Sequence, residues 1–229
     1  MSTVSDERIG GLPPPVQRCL RRSGVVGRQV PEQVTVRQQG EILLRGRWFP
    51  FTADEGYAVD PVGFEWKATV KLAGLPLARA LDSLSDGRGR MHVRLLGVFT
   101  VVDEVGPEMD QGAVMRWLNE TMWFPHVWAT DTISWTPVDD TSAVGEMSVG
   151  PLTAGAEFRF DGEGRLVDFR ADRYRIEGSR NELTPWSTPL SEHSRFDGVE
   201  VPSYGRAVWA PEDEDLEYIR IGITHIRYG

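Results

Sequence analysis

In a β-strand, residues of equal parity share one face, so a polar side chain among apolar neighbours of its own parity is carried inward with them. Glu55 follows Phe49, Phe51 and Ala53 and precedes Tyr57; Asp103 follows Phe99 and Val101; His225 follows Ile219, Ile221 and Ile223. On a dry inner wall desolvation disfavours the charged carboxylate, which makes such a group a candidate acid or base near neutral pH. A histidine beside it can share that task. The plain alternative for each is that its strand leaves the core at that point and the side chain meets solvent or a backbone partner. A fourth row, Val199, Val201, Ser203, Gly205, Ala207 and Trp209, is small in its middle, which either leaves space inside or lets a curved strand bend.

The other concentration of chemistry is the stretch GPEMDQGAVMRWLNETMWFPHVW, residues 106–128. Val114, Trp117, Leu118, Thr121 and Met122 recur at helical spacing, so a helix over 107–124 presents one apolar face. Pro107 suits its first turn, Glu108 and Asp110 suit the positive end of its dipole, and Pro125 ends it. Arg116 and Glu120 stand one turn apart and pair most simply in solvent. Eight tryptophans in 229 residues is a high count, and flat aromatics either fill a core or line an apolar pocket. The candidate catalytic residues are therefore Glu55, Asp110, Glu120 and His225. The candidate walls for a ligand are Tyr57, Trp66, Trp117, Trp123, Trp186, Ser203 and Trp209.

Alternating strands must position these groups. The period of two predicts strands at 33–38, 41–46, 48–58, 63–72, 78–86, 90–96, 98–104, 132–138, 141–149, 153–161, 165–175, 184–196, 199–210 and 215–228. Asp86-Gly87, Asp161-Gly162 and Asp197-Gly198 are hairpin signals, and hairpins make antiparallel neighbours. So many long strands curl rather than lie flat, so the expected fold is a mainly β, antiparallel half-barrel or barrel. Its central helix lies on the concave face, and a short helix over 13–24 closes one end. The acidic run 211–215 reads as a solvated hairpin tip, and no linker or repeat divides residues 1–229, so one domain is expected.

A net charge of −9 argues against a nucleic-acid partner, which calls for a basic face. The N-terminus lacks the basic start and apolar run of a secretory signal, and no segment is apolar for the length of a membrane span, so a cytoplasmic protein is the expectation. The single cysteine, Cys19, reads as a packed thiol on an apolar helix face. His92, His126, His193 and His225 have no metal-ligand spacing, and dinucleotide, P-loop and nucleophile-elbow motifs are absent, so no cofactor and no metal are expected. The oligomeric state is not legible.

The motifs LPPPVQRCLRRSG, RWFPFTADEGYAVDPVGFEWKA, GPEMDQG, RWLNETMWFP, WTPVDDTSA and LTPWS together resemble an uncharacterised bacterial family, a domain of unknown function, over nearly the whole chain. The strand pattern, with its mid-chain helix and the run GRLVDFRADRY, is similar to the half-barrel of bacterial lipoprotein carriers, which wrap helices around a hydrophobic cavity. Such carriers are exported, whereas no export signal is read here. What the resemblance implies is a cavity protein, and its expected partner is an apolar, medium-sized small molecule. The first functional expectation is a cofactor-free cyclase or isomerase acting on a polyketide-like or isoprenoid-like substrate. The alternatives are a non-catalytic carrier or sensor of a lipid-like ligand and a protein-interaction module.

Overall fold

The structure, a computed structural model, describes residues 2–177, 180–210 and 215–229, so most of the acidic run 211–215 lies outside the described residues. Fourteen strands form one antiparallel sheet. The first six are β1 Gln33–Leu44, β2 Arg47–Ala58, β3 Gly63–Leu72, β4 Leu75–Ser85, β5 Arg88–Leu95 and β6 Phe99–Glu104. The other eight are β7 Ser134–Pro137, β8 Ser142–Val149, β9 Leu152–Phe160, β10 Leu166–Glu177, β11 Arg180–Ser187, β12 Leu190–Phe196, β13 Val199–Trp209 and β14 Leu216–Tyr228. Two strands expected between 33 and 46 are the single β1. The strand expected over 184–196 is broken into β11 and β12 at Thr188-Pro189, because a proline has no N–H to give to a ladder.

The sheet order β6-β5-β4-β3-β2-β1-β14-β13-β11-β10-β9-β8-β7 explains the central helix. The chain starts in the middle of the sheet, meanders to one edge at β6, and resumes at the opposite edge with β7. Whatever joins β6 to β7 must cross the sheet, and α3, Pro107–Glu120, does so. It packs against β4 and β5 on one side and β8, β9 and β10 on the other, so the curl of the sheet wraps the helix. The helix is shorter than the sequence reading. Two 3-10 turns, Thr121–Trp123 and Pro125–Ala129, follow it, and Pro125 opens the second turn rather than stopping a helix.

Among the described residues, five hairpins turn on an X-Gly pair with both residues left-handed: Arg45-Gly46, Ala73-Gly74, Asp86-Gly87, Leu96-Gly97 and Asp197-Gly198. Asp161-Gly162 behaves differently. Asp161 Oδ1 accepts from the N–H groups of Glu163 and Arg165, which builds a wider turn closed by Gly164. At the N-terminus, α1 (Asp6–Gly10) forms because Ser5 caps it through the Arg8 N–H, and it has no counterpart in the sequence reading. The expected helix is α2 (Pro14–Ser23), ended by left-handed Gly24, with Val16, Cys19 and Leu20 buried. Burial pushes the Cys19 thiol up to about 12, which leaves it a packing group.

Two inward expectations fail, the first of them at a bulge. Arg37 pairs His225 but Gln38 pairs Ile223, so Thr224 is an extra residue and the parity of β14 flips there. Ile226 takes the inward place and His225 is exposed. In β6 the apolar row itself faces outward: Phe99 and Val101 are exposed, and Asp103 is exposed with them and chelated by Arg90 at 2.9 and 3.0 Å.

The helix approaches the sheet closely at Gly89. A Cβ there would lie 2.5 Å from the Met109 carbonyl oxygen and 2.9 Å from Ala113 Cβ. Gly89→Val is therefore expected to cost roughly 1–3 kcal/mol by overpacking, read as a lower denaturation midpoint in urea at unchanged m-value.

Candidate functional site

Inside the wrapped sheet the α3 residues near its C-terminus meet a group of buried polar residues. Arg116 donates to Glu55 Oε1 at 2.8 Å, Asp82 Oδ2 at 2.5 Å and Glu120 Oε1 at 2.8 Å. Its guanidinium also lies 4.8 Å from the centre of the Phe64 ring and 5.0 Å from that of Trp66. Around it runs a hydrogen-bonded chain. Trp66 Nε1 donates to Gln38 Oε1 at 2.8 Å, Gln38 Nε2 donates to Glu55 Oε2 at 2.7 Å, and Tyr57 Oη donates to Glu120 Oε2 at 3.2 Å. Among the described residues, Asp82 Oδ1 is buried with no partner.

Three carboxyl groups thus share one largely buried guanidinium. Desolvation holds the Glu55 carboxyl well above the ordinary carboxylate range, with Arg116 opposing and the neighbouring Glu120 adding to the rise. Glu120 is raised too, again chiefly by burial. Burial works to discharge Arg116, but Glu120, Glu55 and Asp82 together keep it well above its ordinary value. Arg116 stays charged.

Beside this group lies a cavity of about 430 Å³, within the range of small-molecule pockets. Asp82, Arg116 and Glu120 form one patch of its lining, while Glu55 and Tyr57 stand behind that patch. An aromatic run makes another wall: Trp209 stacks on Tyr218 with centroids 5.9 Å apart, and Trp186 Nε1 donates to the Tyr218 hydroxyl at 3.0 Å. Trp66, Trp123, Ile219 and Ile223 complete the apolar surface. Arg173 lies over the Trp186 ring at 4.9 Å and reaches the Gly112 carbonyl on α3.

Among the expected site residues, Glu120, Trp66, Trp123, Trp186 and Trp209 are on the cavity wall. Glu120 is buried with Arg116, which replaces the solvated pair expected from their spacing. Trp117 is fully buried against Phe124 in the aromatic core below the cavity and lines nothing. Ser203 is buried and accepts from Ser194 Oγ; the open space in its row lies at Ala207, since Leu190 fills the room over Gly205. Asp110 fastens α3 to β5, accepting from the Gly89 N–H at 2.7 Å and from Arg88 at 3.0 Å, away from the cavity. His225 is outside altogether.

Asp82 and Gln38 escaped the sequence reading although parity marks both. Asp82 follows Ala78 and Ala80 and precedes Leu84, and Gln38 follows Val34 and Val36. Arg116 was noticed only as a surface partner. Its three carboxylates come from β2, β4 and its own helix, a convergence that no local pattern contains. Among the described residues no group of His, Cys, Asp and Glu could hold a metal ion.

The model of the Family of unknown function (DUF6544) matches residues 2–221. The chain belongs to this family. No curated protein matches the sequence. Among solved structures, a DUF1329 family protein from Desulfovibrio piger is similar over 94% of this chain and 93% of its own, at 12% identity and a TM-score of 0.51. A LolA superfamily protein from Nitrosomonas europaea is similar over 93% of both chains at 9% identity and a TM-score of 0.49. A putative outer membrane lipoprotein-sorting protein domain from Vibrio parahaemolyticus covers 86% of this chain and 85% of its own, at 7% identity and 0.47. The first of these likenesses supports the half-barrel fold and nothing about activity.

The buried carboxyls set a pH dependence of stability. Glu55 and Glu120 have folded pKa values above the ordinary 4.5, so the folded chain binds their protons more tightly than the unfolded chain. Their contribution is complete below about 4.5 and is lost as pH rises through the folded values. His126, pulled to about 4 by burial, works oppositely: its contribution is full above 6.5 and is lost as pH falls toward 4. The melting temperature of the parent chain relative to that of Glu55→Gln is expected to fall as pH rises from about 4.5, the His126 effect cancelling in the difference; a difference that does not change with pH would remove the raised Glu55.

Proposed function

We propose that the protein binds an apolar, medium-sized, lipid-like molecule in the half-barrel cavity and serves as its carrier or sensor. The observation that carries this reading is the cavity itself. It holds about 430 Å³ between tryptophan and isoleucine walls, and the buried carboxyls of its lining, Asp82 and Glu120, are both already paired with Arg116, while Glu108, Arg173 and Arg206 line it elsewhere. A ligand buried there gains from the apolar walls without having to break the Arg116 ion pairs. The half-barrel fold supports the reading only by supplying a concave wall.

A second reading, a cofactor-free isomerase or cyclase, is favoured by one feature. Glu120 is a carboxyl with a raised pKa on the cavity wall, and an acid so placed can exchange a proton with a bound substrate. The two readings part at Glu120→Gln. A carrier keeps its affinity within a few-fold, whereas an enzyme keeps binding and loses turnover by about 10²–10⁴-fold.

The binding site is tested by filling it. Ala207 is small, lines the cavity and pairs with Ile219 across the β13–β14 ladder. Ala207→Trp, and independently Ala80→Phe from the opposite wall, are expected to weaken an environment-sensitive fluorescent fatty-acid probe by about tenfold or more while the melting temperature holds. Native mass spectrometry of protein from its own host is expected to show a co-purifying small molecule in the parent chain that Ala207→Trp lacks. Equal probe affinity in all three proteins would remove the cavity as the site.

A further inference from the structure

Large apolar side chains normally stand singly on a soluble surface, and a gathering of them marks an interaction site. Here they gather at two adjacent hairpin tips. Leu72 and Leu75 flank the β3–β4 turn at 54% and 72% exposure, and Leu96, Val98 and Phe99 form the β5–β6 turn at 62%, 71% and 64%. The Leu96 N–H donates to the Leu77 carbonyl at 2.8 Å, which holds the two tips side by side. Leu44, at the β1–β2 turn on the same edge, is itself exposed and also lines the cavity, so the apolar edge runs into the cavity mouth.

The charge of this edge opposes that of the chain. Segments 42–52, 69–81 and 91–102 contain Arg45, Arg47, Lys71, Arg79 and Arg94 and no aspartate or glutamate, in a protein of net charge −9. None of these five is ion-paired among the described residues, whereas the nearby Arg90 and Arg220 are held by Asp103, Glu217 and Glu41. Exposed Asp215, which precedes β14 on the far side of β1, marks where this character ends.

We propose that the tips of β1–β2, β3–β4 and β5–β6 dock on an anionic lipid bilayer. The leucine, valine and phenylalanine side chains enter the headgroup boundary, and the five bases rest on lipid phosphates. This goes beyond the binding reading, since it concerns where the cavity mouth is presented. A second copy of the chain fits the edge poorly, because two such edges would bring ten unpaired bases together. A bilayer supplies in one surface both the negative charge and the apolar layer that these tips lack.

The test is sedimentation of the full chain with vesicles of phosphatidylcholine containing about 30% phosphatidylglycerol, against vesicles of phosphatidylcholine alone. Partition is expected on the anionic vesicles, weaker on the neutral ones, and reduced as salt shortens the Debye length. Leu75→Ser with Val98→Ser, and separately Arg45→Gln with Arg79→Gln and Arg94→Gln, are each expected to lower partition by about tenfold. All five positions are clear of the cavity lining, so the probe affinity measured without vesicles is expected to stay within about twofold in both variants. Absent partition of the parent chain, or partition indifferent to both variants, overturns the proposal. So does a dimer in sedimentation velocity that Leu75→Ser with Val98→Ser dissolves, because the tips would then serve a second copy. Loss of probe binding with vesicle partition intact would instead count against the cavity reading alone.

Discussion

Arg116 has to remain charged with its side chain largely buried, and much of the interior follows from that. An isolated guanidinium would be very costly there, so Glu55 from β2, Asp82 from β4 and Glu120 from the same helix converge on it. Because the carboxylates belong to two strands and a helix, satisfying the charge also sets the depth and rotation of α3 against the sheet. Phe64 and Trp66 cover the guanidinium faces, and Gln38 and Tyr57 take up remaining carboxylate oxygens. Burying four ionisable groups is weak evidence for stability as such. Its clearer effect is registry: a helix that shifted by one turn would carry Arg116 and Glu120 together away from Glu55 and Asp82, leaving those two carboxyls buried without their cation.

That registry divides the hollow of the half-barrel into unlike ends. Below the ion pairs, Trp117, Phe124, Trp128, Phe158 and Phe169 pack edge to face and fill the space. Beside the ion pairs, α3 carries Gly112 and Asn119, and β13 carries Ala207, so the opposing walls do not meet and the cavity remains. The hollow therefore stays open through a shortage of side-chain volume on a few facing elements, held apart by a polar group too well satisfied to collapse. The edge-to-edge crossing of α3 serves the same end, because Asp110 anchors its start to the β5 hairpin while Arg116 anchors its end.

The amino-acid sequence by itself determined the alternation that makes strands, the X-Gly turns that make neighbours antiparallel, the amphipathic mid-chain helix and the excess of tryptophan. From these the curled sheet around a helix was legible, and so were Trp66, Trp123, Trp186 and Trp209 as wall candidates. What only the tertiary structure decided was which polar groups share the interior. Parity predicts a face only while the register holds, and one extra residue at Thr224 put His225 outside; in β6 the apolar row of Phe99 and Val101 itself faces out and takes Asp103 with it. Arg116 meets Asp82 across 34 residues and Glu55 across 61, distances over which no local period carries information. Glu120 looked solvated because spacing along a helix shows that a pair can form and not whether water reaches it. Whether an ion pair is a surface ornament or the organiser of a core is set by burial, and burial belongs to the folded chain as a whole.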